Sequence, residues 1–148
     1  MKKKTKIEIE SSKDVPRSKD NERILLVDDE IELVESGVRV LKWMGYQVQG
    51  VTKPAEALEM IRAQPHQFDL IISDFSMPHM NGIQLAEELK LINPGIPIIL
   101  LTGYSSDVPK KQIKPTIING FITKPISKNE LARAIRKVLD EMPPAPGA

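Results

Sequence analysis

Acidic, hydroxyl and amine side chains stand at the ends of short apolar runs in this 148-residue sequence. The run Asp28-Asp29-Glu30 follows the first apolar stretch, Asp74 and Thr102 end two later ones, and Lys124 follows the last. Carboxylate ligands without Cys or a nearby His favour a hard divalent cation such as Mg²⁺ or Mn²⁺. A cation, a hydroxyl and an ammonium group are the groups that a phosphoryl group binds. The set therefore predicts a site that handles phosphate.

The charges of this set favour a metal ion and a phosphoryl acceptor. The carboxylates of Asp28, Asp29 and Asp74 and the ammonium of Lys124 sum to −2, which one divalent cation would neutralise. Without a cation, mutual repulsion would raise the pKa of at least one carboxyl. A carboxylate can accept a phosphoryl group to form an aspartyl phosphate. We favour Asp74 as the acceptor because it stands alone after its run, whereas Asp28 and Asp29 are adjacent, as metal ligands from one loop can be.

The elements that must position these residues alternate between two periods. Short apolar runs predict strands at residues 24–27, 47–51, 70–72, 98–101 and 121–122, and three of these are apolar at successive positions, as buried central strands are. Apolar residues at helical spacing lie between the runs, for example Ile31, Val34, Val38 and Leu41. This alternation predicts an α/β fold with a doubly wound parallel sheet. The carboxyl ends of its strands would meet at one edge, where such folds bind ligands.

One of the five predicted helices is weak, and both chain ends lack a core. The fourth helical slot, residues 105–119, contains Pro115, so we expect a short or distorted helix there. Residues 1–21 predict a flexible tail or linker, residues 22–142 the folded domain, and the Pro-rich residues 143–148 a disordered tail.

Composition excludes several classes of protein. The net charge is +1, so no global field attracts nucleic acid or a membrane surface, and we expect no direct partner of either kind. There are no cysteines, which rules out a disulfide framework, a thiolate zinc site and a cysteine nucleophile. The longest apolar run, residues 96–101, is too short to span a bilayer. We expect a soluble, cytoplasmic protein.

Four motifs in this order resemble the CheY-like receiver domain of bacterial two-component response regulators. The resemblance covers residues 23–141 and rests on Val27-Asp28-Asp29-Glu30, on Ser73-Asp74-Phe75-Ser76-Met77-Pro78 with Gly82, on Leu101-Thr102-Gly103, and on Phe121-Ile122-Thr123-Lys124-Pro125. Each motif alone is common by chance. Together, at the ends of the predicted strands, they are specific.

The resemblance implies a flavodoxin-like fold with five parallel strands in the order 2-1-3-4-5 and five helices. It implies that Asp74 is the phosphoacceptor and that Asp28, Asp29, Asp74 and the backbone carbonyl of Ser76 hold Mg²⁺ or Mn²⁺. Lys124 would bind the phosphoryl group and precede a cis peptide bond to Pro125.

The resemblance also implies a switch. Thr102 would move toward the phosphoryl group and Phe121 would turn inward, which would remodel the surface of the fourth helix, fifth strand and fifth helix. By the same resemblance, Ser76 and Tyr104 would stand at positions that tune the lifetime of the phosphate in this family. Pro115 departs from the family pattern in the fourth helix, so the output surface is expected to be atypical.

The partners follow from the same resemblance. A sensor histidine kinase or a histidine phosphotransfer protein would donate the phosphoryl group, and the output would be contact with another protein. A phosphorylation-dependent homodimer remains open, as does the choice between a free-standing regulator and the terminal receiver of a hybrid histidine kinase. In this reading the chain is not a conventional enzyme, since it would catalyse only its own phosphorylation and dephosphorylation.

Other interpretations compete with the switch. The chain could be an interaction module that keeps the receiver fold without switching, although the complete set of acids, hydroxyl and lysine disfavours this. Asp28 and Asp29 could be no more than acids at a helix N-terminus, and Phe121 could be a core residue. An enzyme or cofactor binder on this architecture is disfavoured, because the sequence has no Gly-rich phosphate loop of the P-loop or dinucleotide type.

Overall fold

The computed structural model of the chain describes residues 15–103 and 114–141. Five strands form one parallel sheet in the order β2-β1-β3-β4-β5. They are β1 (Arg23–Val27), β2 (Gln47–Val51), β3 (Leu70–Asp74), β4 (Ile98–Thr102) and β5 (Gly120–Thr123). The predicted fold class and strand order are confirmed.

Four helices connect and cover these strands in the described residues: α1 (Ile31–Trp43), α2 (Pro54–Ala63), α3 (Gly82–Ile92) and α4 (Lys128–Glu141). Two begin where the sequence carries a capping box. The Asn81 side chain accepts from the Gln84 amide at 2.8 Å before α3, and the Ser127 hydroxyl accepts from the Glu130 amide at 3.1 Å before α4. These caps fix where α3 begins after the loop that follows β3 and where α4 begins after β5.

The sheet separates two apolar cores. Alternate β1 residues face opposite sides, so that Ile24 and Leu26 join the core beneath α1 and α4, while Leu25 and Val27 join the core beneath α2 and α3. All residues of β3 and β4 are buried, as expected for central strands covered on both faces. Burial on both faces fixes the register and so fixes where each strand ends.

The expectation of five helices is not met in the described residues, which contain four. The weak fourth slot spans residues 105–119, and its first part lies outside the described residues. Residues 115–117 form a turn, in which the amides of Ile117 and Ile118 donate to the carbonyl of Lys114. Pro115 has no amide hydrogen and disfavours a helical conformation in the residue before it, which is the physical reason for a turn here. The last helix, α4, corresponds to the fifth predicted helix.

The described part of the predicted tail contacts the domain. Val15 is buried in the core beneath α1 and α4, and the Ser18 amide donates to the Met44 carbonyl at 2.9 Å. The sequence pattern did not indicate this packing, because a single Val among polar residues carries no periodicity. No helix in the described parts of the chain is long and apolar enough to cross a bilayer.

Candidate functional site

The predicted site residues lie at the carboxyl ends of four strands. Asp28 comes directly after β1, Asp74 and Thr102 are the last residues of β3 and β4, and Lys124 directly follows β5. The strand register extends through these ends, since the Lys124 amide donates to the Thr102 carbonyl and the Phe75 amide to the Leu101 carbonyl, both at 2.8 Å. The parallel sheet thus brings residues up to 96 positions apart to one edge.

Lys124 is surrounded by carboxylates. Its Nζ lies 3.2 Å from Asp74 Oδ1, 3.4 Å from Asp28 Oδ2 and 3.5 Å from Glu30 Oε1. Burial alone would lower the pKa of this ammonium, but the charges of Asp28, Asp74 and Glu30 together raise it. Lys124 is therefore a fixed positive charge that points at the acid of β3.

Two of the acids, Asp28 and Asp74, are buried at high electrostatic cost, whereas Asp29 is exposed. Asp28 is fully buried, and burial together with the neighbouring Asp74 charge raises its pKa to about 7. Burial also raises the pKa of Asp74, against the opposing effect of Lys124. One lysine does not compensate this group of acids, so the charge balance favours an additional cation.

The carboxylates fit a divalent cation. One oxygen from each of Asp28, Asp29 and Asp74 lies within 4.8 Å of the others. All these donors are oxygens, which suits Mg²⁺ or Mn²⁺. The buried Asp28 is held in place because its Oδ1 accepts from the Glu30 amide at 2.9 Å and its own amide donates to the Val51 carbonyl at 3.2 Å. The donor set therefore matches the cation that the sequence predicts.

Gly82 packs against the backbone of Asp74, the acid at the end of β3. A Cβ added at this residue would lie 2.4 Å from the Asp74 carbonyl oxygen and 2.6 Å from Leu100 Cδ1, so only glycine fits there without a shift of the backbone. Its amide donates to the Phe75 carbonyl at 2.8 Å. The first turn of α3 consequently packs directly against the end of β3.

The other predicted site residues differ in their exposure. Thr102 is buried, whereas Phe121 is 49% exposed and Ser76 is exposed in the loop after β3. The Lys124–Pro125 peptide bond is cis, as the resemblance implied. Tyr104 lies outside the described residues. Sequence reasoning gave Glu30 no specific role, although its position beside the two aspartates was a signal that it would reach the same lysine.

Comparison with known proteins places these features in a family. The family model described as the response regulator receiver domain matches residues 24–136. Among curated proteins, the sensor kinase CckA of Brucella abortus is 34% identical over 118 residues, covering 80% of this chain and 12% of its own length. The transcriptional regulatory protein ZraR of Escherichia coli is 34% identical over 120 residues, covering 81% of this chain and 27% of its own. The chain thus spans about a quarter or less of the length of these two relatives.

Two solved receiver structures match over nearly their whole length. A CheY-like response regulator receiver domain protein from Methanospirillum hungatei has 30% identity and a TM-score of 0.75, with 82% of this chain and 95% of that chain covered. The chemotaxis response regulator CheY4 of Vibrio cholerae has 31% identity and a TM-score of 0.70, with 80% and 98% covered. On its sheet order, its matching motifs and these comparisons, the chain belongs to the response regulator receiver domain family.

Proposed function

We propose that this chain is a phosphorylation-dependent signalling switch in which Asp74 accepts a phosphoryl group. The observation that carries the proposal is the position of Lys124 Nζ, 3.2 Å from Asp74 Oδ1 and 3.4 Å from Asp28 Oδ2. This arrangement places a half-buried ammonium beside one acid that can act as a nucleophile and another that can hold a cation. The three acids around Lys124 carry more negative charge than one ammonium neutralises, which leaves charge for a cation to balance.

In the proposed reaction, an Asp74 carboxylate oxygen attacks the phosphorus of a phosphohistidine on a partner protein. The new oxygen–phosphorus bond forms as the nitrogen–phosphorus bond breaks, and the partner's imidazole keeps the electron pair and takes up a proton. Lys124 neutralises negative charge on the transferred phosphoryl group. Thr102 would donate its hydroxyl to a phosphoryl oxygen, since its backbone is hydrogen-bonded to Lys124 at this edge.

Four groups would hold the cation: the carboxylates of Asp28, Asp29 and Asp74 and the backbone carbonyl of Ser76. The close approach of the three carboxylates supports this assignment. When bound, Mg²⁺ or Mn²⁺ supplies positive charge that favours a phosphoryl group at the site. Burial, together with the charge of Asp74, raises the pKa of Asp28, and a bound cation would offset both effects.

The output surface in this proposal is formed by β5, by α4 and by the predicted fourth helical slot, residues 105–119. Thr102 is buried at the site and Phe121 is half exposed on the neighbouring strand, so a turn of the aromatic ring inward would bury apolar area. A phosphoryl group that attracts the Thr102 hydroxyl would bias this equilibrium by its differential contacts. The phosphoryl donor would be a sensor histidine kinase or a histidine phosphotransfer protein, met in the cytoplasm, and the downstream partner would be a protein.

Intact-mass measurement tests the acceptor. The purified chain is incubated with Mg²⁺ and acetyl phosphate, whose phosphorus–oxygen bond would break as Asp74 is modified and acetate leaves. We expect the mass of one added phosphoryl group in the wild type and in Asp20→Asn, an exposed control, but none in Asp74→Asn. Absence of the adduct in the wild type, or equal yield in Asp74→Asn, refutes the proposal.

The alternative of a non-switching interaction module gives a different result in the same samples. Hydrogen exchange of residues 120–141 should change on modification if the chain switches. If Asp74 is modified and exchange across β5 and α4 stays the same, the module interpretation replaces the switch.

A further inference from the structure

Residues 15–22, which we name the N-terminal strap, lie outside the region that matches the receiver family model and yet are fastened to the domain. Val15 is 6% exposed and belongs to the core beneath α1 and α4. The Ser18 amide donates to the Met44 carbonyl at 2.9 Å, just past the end of α1. The strap therefore has both an apolar and a backbone attachment.

The strongest attachment of the strap is to the second half of α4. Both carboxylate oxygens of Glu22 contact the Arg136 guanidinium, at 2.7 and 3.0 Å. The same guanidinium donates to Asp140 at 2.7 Å and to the Tyr46 hydroxyl at 3.2 Å, and Lys19 lies 3.2 Å from Asp140. Arg136 is 8% exposed, and a paired, buried guanidinium of this kind is geometrically specific.

The strap also contacts Trp43, the single tryptophan of the chain. The Arg17 guanidinium lies 4.0 Å from the centre of the indole ring and donates to the Trp43 carbonyl at 2.7 Å. The ammonium of Lys128, the first residue of α4, lies 4.1 Å from the same ring. Trp43 thus joins the strap to the start of α4 as Arg136 joins it to the second half.

Three residues connect the helix held by the strap to Lys124 of the candidate site. Lys124 contacts Asp74, and the chain continues through Pro125 and the Ser127 cap into Lys128. A phosphoryl group on Asp74 would give Lys124 a new anionic partner. A shift of Lys124 toward that group would pull on residues 125–127 and on the start of α4. A packed helix cannot shift at its start without straining its other contacts.

From these contacts we infer that the N-terminal strap is a latch on α4 whose docked state is thermodynamically linked to the unmodified state of Asp74. This inference rests on the proposed function. Linkage is reciprocal: modification of Asp74 loosens the strap, and loosening of the strap favours modification. Whatever is attached to the amino-terminal side of the strap can then be coupled to the state of the site.

The first measurement follows the strap in the full chain. Hydrogen exchange of residues 15–22 and the fluorescence of Trp43 are recorded with Mg²⁺ alone and with Mg²⁺ plus acetyl phosphate, while intact mass reports the phosphoryl adduct. We expect faster exchange at the strap and a shifted emission only when the adduct is present. Asp74→Asn should show neither change.

The second measurement tests the reciprocal effect. In the double variant Arg17→Ala/Lys19→Ala, which removes two exposed side chains of the strap, we expect faster strap exchange before modification. We also expect beryllofluoride, a non-covalent phosphoryl analogue added with Mg²⁺, to bind at equilibrium about fivefold more tightly than in the wild type. The matched control is Lys53→Ala/Arg62→Ala, which removes two exposed charges at α2 on the other face of the sheet and should leave the beryllofluoride affinity unchanged.

The outcomes separate this inference from the proposed function. Incorporation of phosphate with unchanged strap exchange, or equal beryllofluoride affinities in the strap variant and its control, overturns the latch and leaves the switch standing. Absence of any adduct on the wild type overturns both. Unchanged strap exchange in unmodified Arg17→Ala/Lys19→Ala also overturns the latch, because these contacts would then not hold the strap.

Discussion

Asp28→Asn should make the protein more stable at neutral and alkaline pH while disabling the proposed cation site. Asp28 is fully buried, and burial with the Asp74 charge raises its pKa from 3.8 to about 7 in the folded protein. Between these two values the folded protein binds more protons at this group than the unfolded chain does. The free energy of unfolding therefore falls as the pH rises through this window, and the loss persists above it.

The size of the effect follows from the shift. Each pK unit corresponds to about 1.4 kcal/mol, so a shift of roughly three units sets an upper limit of about 4 kcal/mol at pH above 7. Asparagine keeps the oxygen that accepts from the Glu30 amide and loses only the charge, including its attraction to Lys124 at 3.4 Å. The raised pKa of Asp28 already includes this attraction. The gain is reduced instead because the asparagine amide nitrogen would lie beside the Lys124 ammonium without an acceptor there, and we expect a net stabilisation of about 2 kcal/mol.

Urea denaturation without divalent cations, at about pH 4 and about pH 8, measures this difference. The wild type and the exposed control Asp20→Asn should lose similar amounts of stability between the two pH values, because both deprotonate Asp28. Asp28→Asn should match them near pH 4 and exceed them near pH 8. If Asp28→Asn is no more stable than the control near pH 8, the reasoning about buried acid repulsion is wrong.

Three further predictions concern packing, the cation and the buried guanidinium. Gly82→Ala should lower the free energy of unfolding by about 1–3 kcal/mol, because the added Cβ would lie 2.4 Å from the Asp74 carbonyl oxygen. In the control Gly95→Ala the nearest atom is 3.8 Å away, so the free energy of unfolding should change by less than about 0.5 kcal/mol. Urea titrations measure both values. Added Mg²⁺ should raise the thermal midpoint of the wild type more at about pH 8 than at about pH 5, since protonation of the acids competes with the cation; an equal rise would contradict the site. Arg136→Met should cost about 3 kcal/mol at neutral pH, because Glu22, whose pKa its hydrogen bond lowers, would lose its partner. The loss should shrink as the pH falls through the range where Glu22 becomes protonated, which equilibrium unfolding at several pH values would detect.

Much of the site could be predicted from sequence because its positions are set by local patterns. Continuous apolar runs ending in Asp74 and Thr102 identify buried parallel strands, and the carboxyl ends of such strands meet at one edge. The caps at Asn81 and Ser127 are equally local, since each needs only a side chain and an amide three residues apart. These features depend on backbone geometry that every sequence of this pattern shares.

The remaining features depend on packing between distant parts of the chain. The sharing of Lys124 by three acids, including Glu30, and the close packing at Gly82 require a particular strand order and particular rotamers. The same holds for Glu22 and Arg136, which are 114 positions apart and carry no shared sequence signal. The sequence alone determined which residue types reach the functional edge. The tertiary structure decided which charges they share and how residues 15–22 are held, because those interactions exist only between surfaces that folding brings together.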